Sequence, residues 1–201
     1  LQTHPEDRGR LLRRLLTLQQ LAEYDEFKRH LATCRSPDEA LEHTLHTAIN
    51  VAGAQFGNIQ ILDLATRTLT ICAQRGFGLD FLDAFRTVSI DDGTACGRAL
   101  RDNVAVIVPD VEHDPTFAPY RALAAAAGFR AVQSTPMVSS DGKIVGVIST
   151  HFRDPHTPAR LEMRVVRLYG RCLADAIVGR YPEMAALRAT SLRSLAKGPT
   201  A

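Results

Sequence analysis

The residues most able to do chemistry in this chain lie on short segments rich in glycine or in strand formers. Cys96 stands between Ala95 and Gly97 at the predicted start of a short helix. A helix N-terminus lowers a thiol's pKa through its partial positive charge, and glycine neighbours let a ligand approach the backbone. The plainer role for Cys96 is a small buried thiol packing the helix start. Gln60, Gln133, Thr135, Ser149 and His151 recur on segments that alternate like strands. Strand residues two apart share a face, so Ser149 and His151 point together with Val147, and Gln133 and Thr135 point together while Ser134 points away. Polar groups on an otherwise apolar sheet either satisfy one another or line a pocket. For His151 the alternative is a hydrogen-bonded structural histidine. Asp110, after Pro109 at a strand end, either accepts a ligand hydrogen bond or closes a turn through nearby amides. Arg130, at the start of a strand, either pairs with an anionic ligand or is a surface charge.

The four cysteines, Cys34, Cys72, Cys96 and Cys172, show no CxxC pair and no finger spacing. Cys72 and Cys172 read as core residues, and Cys34 as partly exposed. A metal site would have to gather His151, His113, Cys96 or Cys72 from separate segments, and their spacing does not call for one. The sequence therefore leads us to expect no metal and no catalytic residue.

These side chains need elements to hold them. Leu11, Leu15, Leu18 and Ala22 repeat at helical spacing, widened by Leu12, Leu16 and Phe27, and predict an amphipathic helix from about Arg8 to Thr33. Ser36-Pro37-Asp38-Glu39 is a capping box with proline at the first helical position, opening a second helix that stops near Gly53. Asn58 to Leu62 and Leu69 to Gln74 alternate as strands. Leu79 to Phe85 reads as a short helix, Val88 to Ile90 as a weak strand, and Ala95 to Arg101 as the helix carrying Cys96. Val104 to Val108 is a further strand, and Asp114-Pro115 opens a helix through Ala127 that Gly128 ends. Gln133 to Met137 and Gly146 to Phe152 form a hairpin around Ser140-Asp141-Gly142-Lys143. Thr157-Pro158 opens a last helix to about Gly179, with Leu161, Val165, Leu168 and Cys172 on one stripe and Val166, Tyr169, Leu173 and Ala176 on a second. Strands dispersed among helices and joined by hairpins argue for an α+β sheet. Residues 1–35 read as an N-terminal helix, 36–179 as the main domain and 180–201 as a tail.

The segments Gln133-Ser134-Thr135-Pro136-Met137, Gly146-Val147-Ile148-Ser149-Thr150-His151-Phe152, Asp92-Gly93-Thr94-Ala95-Cys96-Gly97-Arg98-Ala99-Leu100 and Val106-Ile107-Val108-Pro109-Asp110-Val111 together resemble the GAF family of sensory domains, over about residues 37 to 179. The resemblance implies an antiparallel six-stranded sheet, with the terminal helices on one face and a roofed ligand pocket on the other. It also implies a homodimer whose terminal helices relay the state of the pocket to an output protein such as a histidine kinase. Gln60, Cys96, Asp110, Arg130, Gln133, Thr135, Ser149 and His151 are then the expected ligand-binding residues. Gly93 to Ala99 also matches the Gly-x-x-Cys-Gly-x-Ala region of free methionine sulfoxide reductases, which are GAF enzymes. Their further cysteine has no counterpart in His113-Asp114-Pro115-Thr116-Phe117, which makes a thiol reductase the alternative rather than the first reading. The Asn-Lys-Phe/Tyr-Asp-Glu signature of cyclic-nucleotide-binding members is absent, as are the Cys-His pair and the Asp-Ile-Pro segment of bilin-binding ones. A third reading is a dimerisation scaffold whose pocket is packed shut by Phe117, Phe129 and Met137.

Composition agrees with a folded sensor and argues against other classes. Of 201 residues, 45% are hydrophobic and 23% charged, which supports a packed core. A formal net charge of +2 and the lack of tryptophan offer neither a concentrated basic surface nor a stacking platform, so nucleic acid is not the expected partner. No apolar run approaches a membrane span and no secretory pattern opens the chain, which leads us to expect a cytoplasmic domain with reduced thiols. Neither the ligand nor any cofactor is named by the sequence.

Overall fold

The computed structural model describes residues 18–182 and 184 of the chain. The elements run α1 (Leu18–Thr33), α2 (Pro37–Ala52), β1 (Phe56–Asp63), β2 (Thr68–Arg75), α3 (Leu79–Ala84), β3 (Thr87–Ser89), α4 (Ala95–Asp102) and β4 (Val106–Val108). A 3-10 helix (Pro115–Tyr120), α5 (Arg121–Ala127), β5 (Ala131–Val138), β6 (Ile144–Phe152) and α6 (Arg160–Arg180) complete the fold. The six strands form one antiparallel sheet in the order β3-β2-β1-β6-β5-β4. This is the α+β architecture that the sequence leads one to expect.

The sheet divides two cores. On one face Ile59, Ile61, Met137, Ile148 and Phe152 pack with Leu41 and Leu45 of α2 and with Val166, Tyr169 and Leu173 of α6. On the other, Leu69, Val132 and Val147 pack with Phe77, Phe81, Phe85, Phe117 and Phe129 from the shorter helices and loops. Helix α2 starts as its sequence directs: the Ser36 hydroxyl accepts from Glu39 N–H at 3.2 Å, and the Glu39 carboxylate accepts from Arg35 N–H at 2.7 Å. Gly53 closes the helix in the left-handed conformation at φ 63°. Two glycines set interlayer distances. A Cβ on Gly57 would press on Leu45 and Ile49 at 3.0 Å, and one on Gly146 would lie 2.1 Å from the Gln60 carbonyl oxygen.

Three local expectations are corrected. The helix expected from Asp114-Pro115 through Ala127 is broken: Pro119 lacks an amide hydrogen, and a 3-10 turn through Tyr120 precedes α5. The last helix begins at Arg160, two residues after Pro158, where Ala159 N–H donates to the Glu162 carboxylate at 2.9 Å. Cys34 is buried, 2% exposed, while Cys72 and Cys172 are only half-buried. The first half of the predicted N-terminal helix, with Leu11, Leu12, Leu15 and Leu16, lies outside the described residues, as do Arg188, Arg193 and Lys197 of the tail. Within α1, Tyr24 and Phe27 reach both apolar stripes of α6: the Tyr24 hydroxyl sits 3.1 Å from the Cys172 sulfur on one, and the Phe27 and Tyr169 rings lie 4.4 Å apart on the other.

The contact of Gly146 with β1 makes a sharp prediction. Gly146→Ala should cost more than about 2 kcal/mol of unfolding free energy, because the obstructing atom is backbone at the centre of the sheet. Denaturant titration against wild type checks it; an unchanged midpoint would mean that β1 and β6 are not this close.

Candidate functional site

Antiparallel pairing brings three strands into register at the middle of the sheet. Asn58 of β1 lies opposite Ser149 of β6, which lies opposite Ser134 of β5. One residue pair along, Phe56, His151 and Val132 form the neighbouring row. On this face Asn58, Gln60, Val132, Ser134, Ser149 and His151 floor a small cavity of about 30 Å³. Its walls and roof come from Phe81 and Phe85 at α3, Thr94, Ala95 and Cys96 at the start of α4, and Phe117 and Phe129. That space is on the order of one or two water molecules, far below the several hundred Å³ of an ordinary ligand site.

The floor is polar and incompletely paired. Ser134 and Ser149 share a hydroxyl–hydroxyl bond of 2.8 Å. Asn58 Oδ1, Gln60 Oε1 and His151 Nδ1 are buried without a hydrogen-bond partner among the described residues. Each such group carries a desolvation cost of about 1–3 kcal/mol relative to a satisfied one. His151 is enclosed by aromatic rings, edge-on to Phe129 at 4.7 Å and to Phe77 at 4.9 Å. Burial pushes its pKa down to about 3, so the ring is neutral at physiological pH. Above it Phe77 and Phe81 stack at 3.7 Å.

Of the residues singled out by sequence, Gln60, Cys96, Ser149 and His151 come together at this cavity. Gln133 and Thr135 do not. They occupy the opposite face of β5, beneath α6, and the Gln133 amide donates to the Thr135 hydroxyl at 3.2 Å. Ser134 takes the place facing the cavity. Thr135 instead lines an open groove of about 350 Å³ between α6 and β5, flanked by Arg160, Arg164 and Arg167. Asp110 and Arg130 pair with each other away from the cavity, through two bonds of 3.0 and 2.7 Å. Asp110 also contacts His113 and accepts from Glu112 N–H. The Arg130 guanidinium holds the Asp110 carboxyl well below the usual carboxylate range. This pair ties the loop after β4 to the start of β5. Met137 packs on the helix face and closes nothing over the cavity, whereas Phe117 and Phe129 do.

Cys96 lies in the first turn of α4, where Gly97 N–H donates to the Thr94 hydroxyl at 3.1 Å and the Thr94 hydroxyl lies 3.3 Å from the Cys96 sulfur. Burial pushes the Cys96 thiol pKa up despite these bonds, so the sulfur is a protonated packing group rather than a thiolate. Asn58 and Ser134 are the polar floor residues that sequence reasoning left out. The signal for Asn58 was present, since it shares the alternation of Gln60 two residues on.

The burial of His151 gives stability a pH dependence. Its folded pKa lies below the unfolded value of about 6.5, so the unfolded chain binds more protons and stability falls as pH falls from there towards about 3. His151→Leu should remove up to one proton's worth of this slope, about 1.4 kcal/mol per pH unit. Denaturant titrations of both proteins between those limits measure it; parallel curves would mean that the imidazole is not desolvated.

The model of the GAF domain family matches residues 34–178. No curated protein matches the chain. Among solved structures it is similar to the GAF domain of a phosphoenolpyruvate-protein phosphotransferase from Coxiella burnetii, at 14% identity and TM-score 0.68, over 86% of this chain and 96% of that one. A domain assigned to a two-component sensor histidine kinase of Sinorhizobium meliloti aligns at 20% identity and TM-score 0.60, over 76% of this chain and 98% of that one. The free methionine-R-sulfoxide reductase of Neisseria meningitidis, solved with its substrate, aligns at 16% identity and TM-score 0.62, over 83% of this chain and 89% of that one. At these identities the structures speak for the fold alone. The family match extends from the end of α1 through nearly all of α6, and the six-stranded sheet agrees with it: this chain belongs to the GAF domain family.

Proposed function

We propose that this GAF domain is a sensor that binds a small neutral molecule at the Asn58–Gln60–His151 floor and passes its occupancy to the terminal helices of a dimer. The observation that carries the reading is the set of three buried, unpartnered polar atoms converging on one cavity. Two are amide oxygens, so the ligand brings N–H or O–H donors to them. A neutral His151 favours an uncharged partner. The closed volume requires the roof to move for anything larger than water. Helix α3 is the part suited to move: it has only six residues, and Gly76 and Gly78 flank Phe77 just before it. Ligand entry would then select an open arrangement of α3.

The helices on the far face supply the relay. Strand β6 carries Ser149 and His151 to the cavity and Ile148 to the α6 side, where Gly170 lets the helix pack closely. A shift of β6 therefore reaches α6 through direct packing. The histidine-kinase neighbour supports a signalling context. Among the described residues no helix is long and apolar enough to cross a membrane, and a cytoplasmic setting fits this role. The protonated Cys96, and the lack of a cysteine in His113 to Phe117, argue against thiol reductase chemistry. A second reading, a scaffold with a vestigial pocket, is favoured by the aromatic filling from Phe77, Phe81, Phe117 and Phe129.

Native mass spectrometry of freshly purified protein separates the two readings. The sensor should appear as a dimer with a retained small molecule, or gain thermal stability from a panel of small neutral hydrogen-bond donors. Asn58→Leu with His151→Leu should abolish that retention or shift and leave the dimer mass intact. If the doubly substituted protein binds as wild type does, the floor is misassigned; if no donor of the panel binds wild type, the scaffold reading stands.

A further inference from the structure

A separate cluster sits at the corner where α1 hands over to α2. His30 and Cys34 lie four residues apart at the end of α1 and in its connector, and Glu39 lies in the first turn of α2. The ligand atoms of these three side chains all lie within 4.8 Å of one another. We propose that His30, Cys34 and Glu39 form a binding site for a thiophilic divalent cation of the zinc class, independent of the cavity on the other face of the sheet.

The donor set has the right chemistry. Imidazole, thiolate and carboxylate are the side-chain ligands of zinc, and three of them with a water in the fourth position make an open tetrahedral site. Bond lengths of about 2.0–2.3 Å would draw the ligand atoms roughly 1 Å closer than their widest separation. The two exposed members, His30 and Glu39, can make that movement. Each ligand is already oriented. The His30 ring stacks on His43 at 3.9 Å between centroids. The Glu39 carboxylate is held by Arg35 N–H at 2.7 Å. Cys34 is buried; its sulfur donates to the His30 carbonyl at 3.5 Å, a bond that metal binding would replace, while its peptide oxygen accepts from Arg180 at 2.7 Å and from the Tyr181 hydroxyl at 3.1 Å. On binding, the thiol would release its proton to solvent as the metal–sulfur bond forms.

Position gives the site its consequence. Arg180 also donates to the Leu31 carbonyl at 2.9 Å, so the C-terminal end of α6 is latched onto this same corner. A cation joining α1 to α2 at Cys34 stiffens the point at which the first and last helices meet.

The test uses the full untagged chain under reducing conditions with Co(II) as the probe. We expect one cobalt per chain, a near-ultraviolet thiolate-to-cobalt band with the visible bands of a tetrahedral site, and displacement by Zn(II). Cys34→Ser should lose the thiolate band. His30→Ala and Glu39→Gln, both at exposed positions, should each weaken cobalt binding at least about tenfold, and they carry the test if Cys34→Ser does not fold. Absence of a thiolate band in wild type at excess cobalt would overturn the proposal. So would a band that survives in folded Cys34→Ser, or unchanged affinity in both exposed-site variants.

Discussion

The structure depends on the seating of β6 between β1 and β5. That antiparallel register aligns Asn58, Ser149 and Ser134 in one row and sends Ile59, Ile148 and Thr135 to the other face. Side chains alternate strictly along a strand, so a slip of one residue would exchange the two faces and bring the polar floor into contact with α2 and α6. The close approach of Gly146 to the Gln60 carbonyl allows this packing, since any side chain there would collide with the neighbouring backbone.

The two faces of the sheet do different work with the same strands. The helix face is a mainly apolar core, with Gln133 and Thr135 buried in it, in which α1, α2 and α6 lock together, with Tyr24, Phe27 and Tyr169 at their junction. The opposite face combines a phenylalanine-rich roof with a floor of amide, hydroxyl and imidazole groups. Leaving Asn58 Oδ1, Gln60 Oε1 and His151 Nδ1 without partners among the described residues costs stability that an all-apolar floor would keep. A fold that retains such groups beneath a short, glycine-flanked helix has the physical makings of a receptor, and the tightness of the roof restricts what can enter.

The charged residues prominent in the sequence serve structure at the positions where they are found. Asp110 and Arg130 satisfy each other, so neither offers a free charge to a ligand, and Arg98 meets Asp114 at 3.1 Å beside the start of the 3-10 helix. Asp114 in turn caps that helix through Thr116 and Phe117 N–H. These contacts hold the loops bearing Phe117 and Phe129 over the cavity.

By itself, the sequence determined the element order, the capped start of α2 at Ser36 and Pro37, the hairpin around Gly142 and the α+β class, because these rest on local periodicity, caps and turn residues. It also placed Ser149 and His151 together, since parity within one strand is local. Only the tertiary structure decided which parity of β5 faces the cavity. Val132, Ser134 and Pro136 alternate with Gln133, Thr135 and Met137, each set mixes polar with apolar residues, and both are buried, so hydropathy cannot distinguish the faces. The pairing of Ser134 with Ser149 makes that choice. The union of His30, Cys34 and Glu39 at one corner was likewise set by the turn between α1 and α2, a backbone path that their separation along the chain does not specify.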